Sequence, residues 1–306
     1  NVEGLVIHDR KDKKSPIGQT LSTILQSLEN LGYKVEWKVL NSKYFGVPQE
    51  RKRIYIIGTD RKKPEMNFQV GKVKKIKEIL ESGLPTVNSK IVSLLLSHFS
   101  AEELQGKAIK DKRGGKDNIH SWDIELKGKV TNSQKELLNK LLTERRKKKW
   151  AYEYGIEWMD GMPLTKEHIK TFYDVKNLEE ILEDLVNKGY LKKEYPKRKI
   201  AGKRVQDTNL PIGYNIVTGK MSFEINKILN PESIAPTLVA MDMRGLFVVD
   251  GKGLRNLSLR EGLRLFGYPE DFKFEIEKSL GYDLLGNTVV VPAIEEVSKR
   301  VLKIYY

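Results

Sequence analysis

Residues 39–58 read VLNSKYFGVPQERKRIYIIG and carry Gln49, Arg51 and Arg53 at alternate positions ahead of the apolar run IYIIG. In extended backbone, residues two apart share a face, so both guanidinium groups point to one side of the chain. A guanidinium is a permanently charged planar fork that suits a carbonyl, a carboxylate or a phosphate. By residue type alone the pair also reads as surface charge before a strand. Near the other end, Asn287 and Thr288 follow Gly286 and precede VVVP at 289–292, the pattern of a turn into a buried strand. ERRKKKW (144–150) and KKEYPKRKIAGKRVQD (192–207) set Lys192, Lys193, Arg198 and Lys199 beside Trp150 and Tyr195. That mixture suits phosphate contact with occasional stacking. Cysteine is absent, which removes disulfides, thiolate metal sites and any thiol nucleophile from these residues.

The 306 residues hold 55 Lys and Arg against 41 Asp and Glu, a formal charge of +14. Such a chain is drawn to polyanions, because neutralised phosphates release counterions; solvated Lys/Glu helices are the alternative source of the charge. Hydrophobic residues make up 39%, enough for real cores. No apolar run approaches the roughly 18 residues of a membrane span, and the first residues lack a signal-peptide pattern, so a cytoplasmic protein without membrane association is expected. The length suits about two domains.

Three elements are expected at the start: a helix over 17–33 with Ile17, Leu21, Ile24, Leu25, Leu28 and Leu31 on one face, then strands at 34–40 and 53–58. Residues 61–130 read as mixed and basic, with turns at RKKP, SGLP and RGGKDN. Helices follow at 132–150, at 163–175 with Thr165 as N-cap and half a capping box, and from Asn177 to Gly189. Three helices and then the strand YLKKEY are the order of a winged helix, expected at 130–200. A short helix at 258–267, stopped by Gly267, and a last helix after Pro292 complete the chain.

Together, these stretches resemble the DNA cytosine-5 methyltransferase family. Gln49, Arg51 and Arg53 look like its eighth motif. LRNLSLREGLRLFGYPEDF (254–272), with Arg255, Arg260, Glu261, Gly267 and Pro269, is similar to the ninth. GYDLLGNTVVVPAIEEV (281–297) is similar to the tenth, IAPTLVA (234–240) to the Thr-Leu element closing the recognition region, and Asn1-Val2 to the end of the sixth. The resemblance implies an α/β fold: the tail of a Rossmann-like S-adenosylmethionine-dependent domain (1–62 and 251–306) with an inserted α+β target-recognition domain at 63–250.

It also implies roles. Arg53 would reach a flipped cytosine, and Arg51 would hold the catalytic loop or a phosphate. Gln49, Thr237 and Arg244, the last aimed at guanine, would join Lys192, Lys193, Arg198 and Lys199 on double-stranded DNA. Asn287, Thr288 and Tyr282 would border the S-adenosylmethionine site, and no metal is implied. Arg255, Arg260 and Glu261 would be scaffold. The family's nucleophile is a Pro-Cys thiolate. The expectation is therefore a restriction–modification methyltransferase whose thiol and most of whose donor site lie on an upstream segment or a partner subunit, inactive as this chain alone. A winged-helix DNA-binding protein without chemistry and a transfer-RNA cytosine-5 methyltransferase are the alternatives.

Overall fold

The computed structural model describes residues 3–12, 14–157, 161–218, 223–239 and 243–306; the Asn1-Val2 resemblance and Ala240 of IAPTLVA lie outside them. In chain order the elements are α1 (Gln19–Asn30), β1 (Lys34–Asn41), β2 (Lys52–Thr59), α2 (Lys90–His98), α3 (Ala101–Leu104), β3 (Ala108–Ile109), β4 (Asn118–Ile119), α4 (Asn132–Glu144), α5 (Lys148–Glu153), α6 (Lys166–Lys170) and α7 (Leu178–Asn187). They continue with β5 (Leu191–Glu194), β6 (Lys197–Ile200), β7 (Lys203–Gln206), β8 (Gly213–Ile216), β9 (Lys227–Ile228), β10 (Leu246–Asp250), β11 (Gly253–Asn256), α8 (Leu259–Phe266), α9 (Lys278–Asn287) and α10 (Val291–Tyr305). The chain divides into two units, Asn1–Pro85 with Leu229–Asp250 and Arg255–Tyr306, and Thr86–Ile228 with Gly251–Leu254.

In the first unit, β1 and β2 pair antiparallel from Lys34 opposite Thr59 to Asn41 opposite Lys52. The helix expected before them forms, but only Leu21 of α1 is buried and Leu31 is 74% exposed. The core gathers Val47, Ile76, Leu229, Leu246, Phe266 and Leu285, among others. This shared core is why residues 63–85 and 229–250, expected in the recognition domain, belong to the first unit.

α8 shows how local sequence and packing agree. Ser258 and Glu261 exchange side-chain-to-backbone bonds as a capping box. Gly267 ends the helix at φ 75°, and a Cβ there would lie 2.4 Å from Pro292 Cδ, so glycine is required on both counts. Glu261 is fully buried and accepts Arg255 Nη1 at 2.9 Å and Nη2 at 2.8 Å. Arg255 Nε reaches Asp250 at 2.7 Å, and its Nη2 donates to the Glu81 carbonyl at 2.7 Å. A buried charge is tolerable only when paired and hydrogen-bonded, and this network meets that condition.

The second unit is built on Trp122, Leu138, Leu141, Ile169, Leu182 and Tyr190. α7 turns Leu178, Ile181, Leu182 and Leu185 inward, and Gly189 follows at φ 76°. The capping box of α6 is complete, because the Thr165 amide donates to His168 Nδ1 at 3.3 Å. The helix expected over 132–150 breaks after Glu144. Arg145 is 4% exposed and donates to Asn215 Oδ1 at 2.8 Å, which pulls the basic cluster's first residue into the core. β5 pairs antiparallel with β8, and Leu164 bridges Tyr214. β6 and β7 form a hairpin of their own, turning at Ala201 and Gly202. α2, capped by Ser89 and burying Ile91, Val92 and Leu95, lies in the stretch that read only as mixed and basic. Among the described residues no helix is long and apolar enough to cross a membrane.

Arg255→Ala strands Glu261 as an unpaired buried charge and should cost about 3–5 kcal/mol of unfolding free energy. Arg264→Ala, which removes an ion pair to the exposed Glu270, should cost under about 1 kcal/mol. Urea unfolding of the two variants measures the difference.

Candidate active site

Antiparallel pairing sets Arg53 opposite Leu40 and leaves Arg51 just before β2. A cavity of about 360 Å³ opens there, lined by Leu40, Ser42, Arg51, Arg53, Ile54 and Tyr55 from the hairpin. Its other wall is Asn287, Thr288, Val289, Val290, Ala293 and Ile294, from the junction of α9 and α10. Two pairs that stand far apart in sequence, the arginines and Asn287-Thr288, therefore share one cavity.

The arginines differ in kind. Arg51 is 8% exposed; its Nη1 donates to the Leu238 carbonyl at 2.6 Å and its Nη2 to the Thr288 carbonyl at 3.1 Å. The guanidinium also lies 5.5 Å from the centroid of the Phe266 ring. Burial, and then the Arg53 charge, pull its pKa below the usual arginine range. Arg53 is half-buried, and among the described residues its Nη1 bonds the neighbouring Lys52 carbonyl, at 2.7 Å. Arg51 is thus a clamp, and Arg53 the guanidinium available to a ligand. Tyr55, a lining residue that sequence reading missed, has its phenol pKa raised by burial. Its position two residues beyond Arg53 in a strand was the available signal.

The loop ahead of β2 is held from several sides. Gln49 is fully buried, donates to the Leu265 carbonyl at 3.0 Å and bridges Ala235. Thr237 Oγ1 donates to the Glu50 carbonyl at 2.8 Å. Gln49 was expected to help order this loop as well as to meet DNA, and Thr237 to meet DNA; here both brace the loop that carries the arginines. Arg244, expected at guanine, lies in the first unit and pairs with Asp283 at 2.6 Å. Met241 and Asp242, in its neighbourhood, lie outside the described residues.

On the facing wall, Thr288 Oγ1 meets the Tyr268 hydroxyl at 2.6 Å, and Asn287 Nδ2 donates to the Asp283 carbonyl at 2.9 Å. Asn287 is exposed. Tyr282, expected beside the methyl donor, is 4% exposed and gives its hydroxyl to the Leu257 carbonyl, so it belongs to the core. Gly286 and Asn287 end α9 rather than forming a turn into a strand. α9 starts at Glu277, whose carboxylate accepts the Ser279 and Leu280 amides. The bond from the Ser279 hydroxyl and those two amide bonds hold its pKa down to about 2.

In the second unit, Lys192 is paired with Glu194 at 2.7 Å and Lys193 with Glu183 at 2.7 Å. Arg198 pairs with Asp207 and donates to the Tyr154 carbonyl at 2.8 Å. Of these four cations expected on phosphates, three hold their own fold, and Lys199 projects into solvent. Among the described residues no cluster of His, Asp and Glu is arranged to hold a metal ion.

A family model described as C-5 cytosine-specific DNA methylase matches residues 1–303. The chain belongs to that family. It is 63% identical over 302 residues to the type II methyltransferase M.NlaIV of Neisseria lactamica, spanning 99% of this chain and 71% of that protein. It is 61% identical over 302 residues to M.NgoBV of Neisseria gonorrhoeae, with the same shares of 99% and 71%. Among solved structures, the Dnmt2 methyltransferase of S. pombe aligns over 100% of this chain and 66% of its own at a TM-score of 0.41 and 13% identity.

Two outcomes follow from this geometry. Arg51→Ala leaves two carbonyls without their donor and should lower unfolding free energy by about 1–3 kcal/mol, whereas Arg53→Ala should change it by under about 0.5 kcal/mol; urea unfolding separates them. The Glu277 carboxylate has a folded pKa below its ordinary 4.5, so its stabilisation is complete above pH 4.5 and is lost as pH falls toward 2. The thermal midpoints of the parent and Glu277→Ala should therefore differ at neutral pH and converge in acid.

Proposed function

We propose that the chain takes part in methylating C5 of cytosine in DNA within a type II restriction–modification system. The observation that carries this reading is the shared cavity, in which Arg53 faces Asn287 and Thr288. Attack at C6 of a cytosine places negative charge on the pyrimidine. A planar guanidinium donating to the base carbonyl stabilises that charge where it develops. The family's description as a DNA methylase, and a net charge of +14, favour a duplex as the substrate; the target base must then leave the stack.

S-adenosylmethionine is the methyl donor the family implies, and it supplies the methyl group that reaches C5. The fit to these residues is partial but coherent: Asn287 offers a side-chain oxygen, and Val289 and Val290 an apolar edge, on the wall facing Arg53. Tyr282 takes no part. No residue of the chain is a thiol, so the nucleophile comes from outside these 306 residues, on another segment or another polypeptide.

The second unit is the target-recognition part. Its order, a Leu164 bridge, α6, α7, β5, the β6–β7 hairpin and β8 returning onto β5, supports the winged-helix reading of 130–200.

The chain alone, mixed with DNA and labelled S-adenosylmethionine, should leave the DNA unlabelled; labelling by the pure chain would refute the external thiol. Joined to a cysteine-bearing methyltransferase segment, it should methylate, and Arg53→Ala should lower kcat at least about tenfold, the scale of one charge-assisted bond. Arg53→Lys should restore only part of the rate, since an ammonium lacks the fork. Near-normal turnover of Arg53→Ala overturns the assignment.

A further inference from the structure

The stretch RGGKDN, which read only as a turn, forms the crown of the loop joining β3 to β4 in the second unit. Lys112, Arg113, Gly114, Gly115 and Lys116 are all exposed. Among the described residues, none of the three cationic side chains has an acceptor or an ion-pair partner. The acids that flank them are engaged elsewhere. Asp111 is 6% exposed and accepts the Ser121 amide at 2.8 Å and its hydroxyl at 2.7 Å, and Asp117 faces Lys107 at 3.5 Å. The charge of the crown is therefore uncompensated, unlike that of Lys192, Lys193 and Arg198.

The carbonyls of the crown are all in use. Arg145 Nη2 donates to that of Lys112 at 3.3 Å, and Asn118 Nδ2 to those of Arg113 at 3.1 Å and Gly114 at 2.8 Å. The Asn118 amide donates to Gly115 at 3.0 Å, and Lys107 Nζ to Lys116 at 2.9 Å. Among the described residues, none of the amides from 112 to 116 donates to a protein acceptor. Gly115 sits at φ 142°, and a Cβ there would come within 3.0 Å of Asn118 Nδ2, so the glycine lets Asn118 reach both carbonyls. A loop with its carbonyls taken by the body of the unit offers N–H groups and cations, the donor set that phosphate oxygens accept.

We propose that the 112–116 crown is where the second unit touches duplex DNA, with Lys112, Arg113, Lys116 and the unused amides on the phosphates. This rests on the reading of the second unit as the target-recognition part, and it names the surface that makes the contact. Because the loop is braced before any ligand arrives, little conformational freedom is lost on contact.

The test is binding of the full chain to a labelled mixed-sequence duplex by fluorescence anisotropy across a salt series, with no methyl transfer read. The Lys112→Gln/Arg113→Gln/Lys116→Gln variant should bind every sequence more weakly and flatten the slope of log K against log salt by about 2.7, roughly 0.9 per lost phosphate contact. Its thermal midpoint should equal the parent's, because the three side chains hold nothing in the fold. The single Lys116→Gln variant, expected to flatten the slope by about 0.9, reads the same contact if the triple variant loses stability. The Lys140→Gln/Lys166→Gln/Lys193→Gln variant removes the same charge from cations already paired with Glu136, Glu179 and Glu183, and should keep the parent's slope. An unchanged slope in the crown variants overturns the proposal. So does an equal flattening in the paired-cation variant, or a loss confined to one sequence. A parent chain that binds no duplex at low salt removes the recognition reading as well; a parent that binds no better than the crown variant leaves that reading standing and removes only the crown.

Discussion

The Arg51 guanidinium joins three stretches that are distant in sequence: the start of β2, the carbonyl of Leu238 and the carbonyl of Thr288. No carboxylate is in its hydrogen-bond set; carbonyl oxygens and the face of Phe266 are what replace water around it. A buried cation held in this way is expensive unless every partner stays in place. The first unit is built around that condition. Gln49 bonds to Leu265, Thr237 to Glu50, and Glu50 and Ala235 exchange backbone bonds with the loop and its bridge, so the segment preceding β2 has little freedom. Arg53, one alternation further along, inherits a fixed position at the rim of the cavity without being held itself.

This division separates residues that share a motif. Within Gln-x-Arg-x-Arg, the last member is the least buried, and the first two are internal. The same holds near the other end, where Thr288 gives its carbonyl to Arg51 and its hydroxyl to Tyr268, while Asn287 faces outward. Arg255 and Glu261 behave as the scaffold that their types suggested, but the reach of their network, to Glu81 and Asp250, is set by the packing of the first unit.

Net charge says that a chain attracts polyanions and is silent on where. In the second unit, most lysines of the basic stretches pair with nearby acids, and α7, amphipathic toward the core, is acidic toward solvent. In the hairpin, β7 is exposed along its whole length, and the register divides the cations between both faces, Lys199 opposite Arg204 on one and Arg198 and Lys203 on the other.

Local signals sufficed for the helices ended by Gly189 and Gly267, for the β1–β2 pair and for the family, because periodicity, capping and motif spacing act over a few residues. α2 escaped, since a short apolar run beside basic turns has no period long enough to distinguish it. The break after Glu144 escaped as well, because the burial of Arg145 depends on Asn215, seventy residues later. The partners of Thr237, Arg244 and Tyr282 were equally out of reach: each is decided by whether a distant carbonyl or carboxylate stands within hydrogen-bond distance. Sequence by itself determined which residue types were present, that no thiol was among them, and that two arginines would stand at alternate positions where a strand begins. Only the tertiary structure decided which arginine was buried, because desolvation is a property of the surroundings and the carbonyls that satisfy Arg51 come from positions 238 and 288.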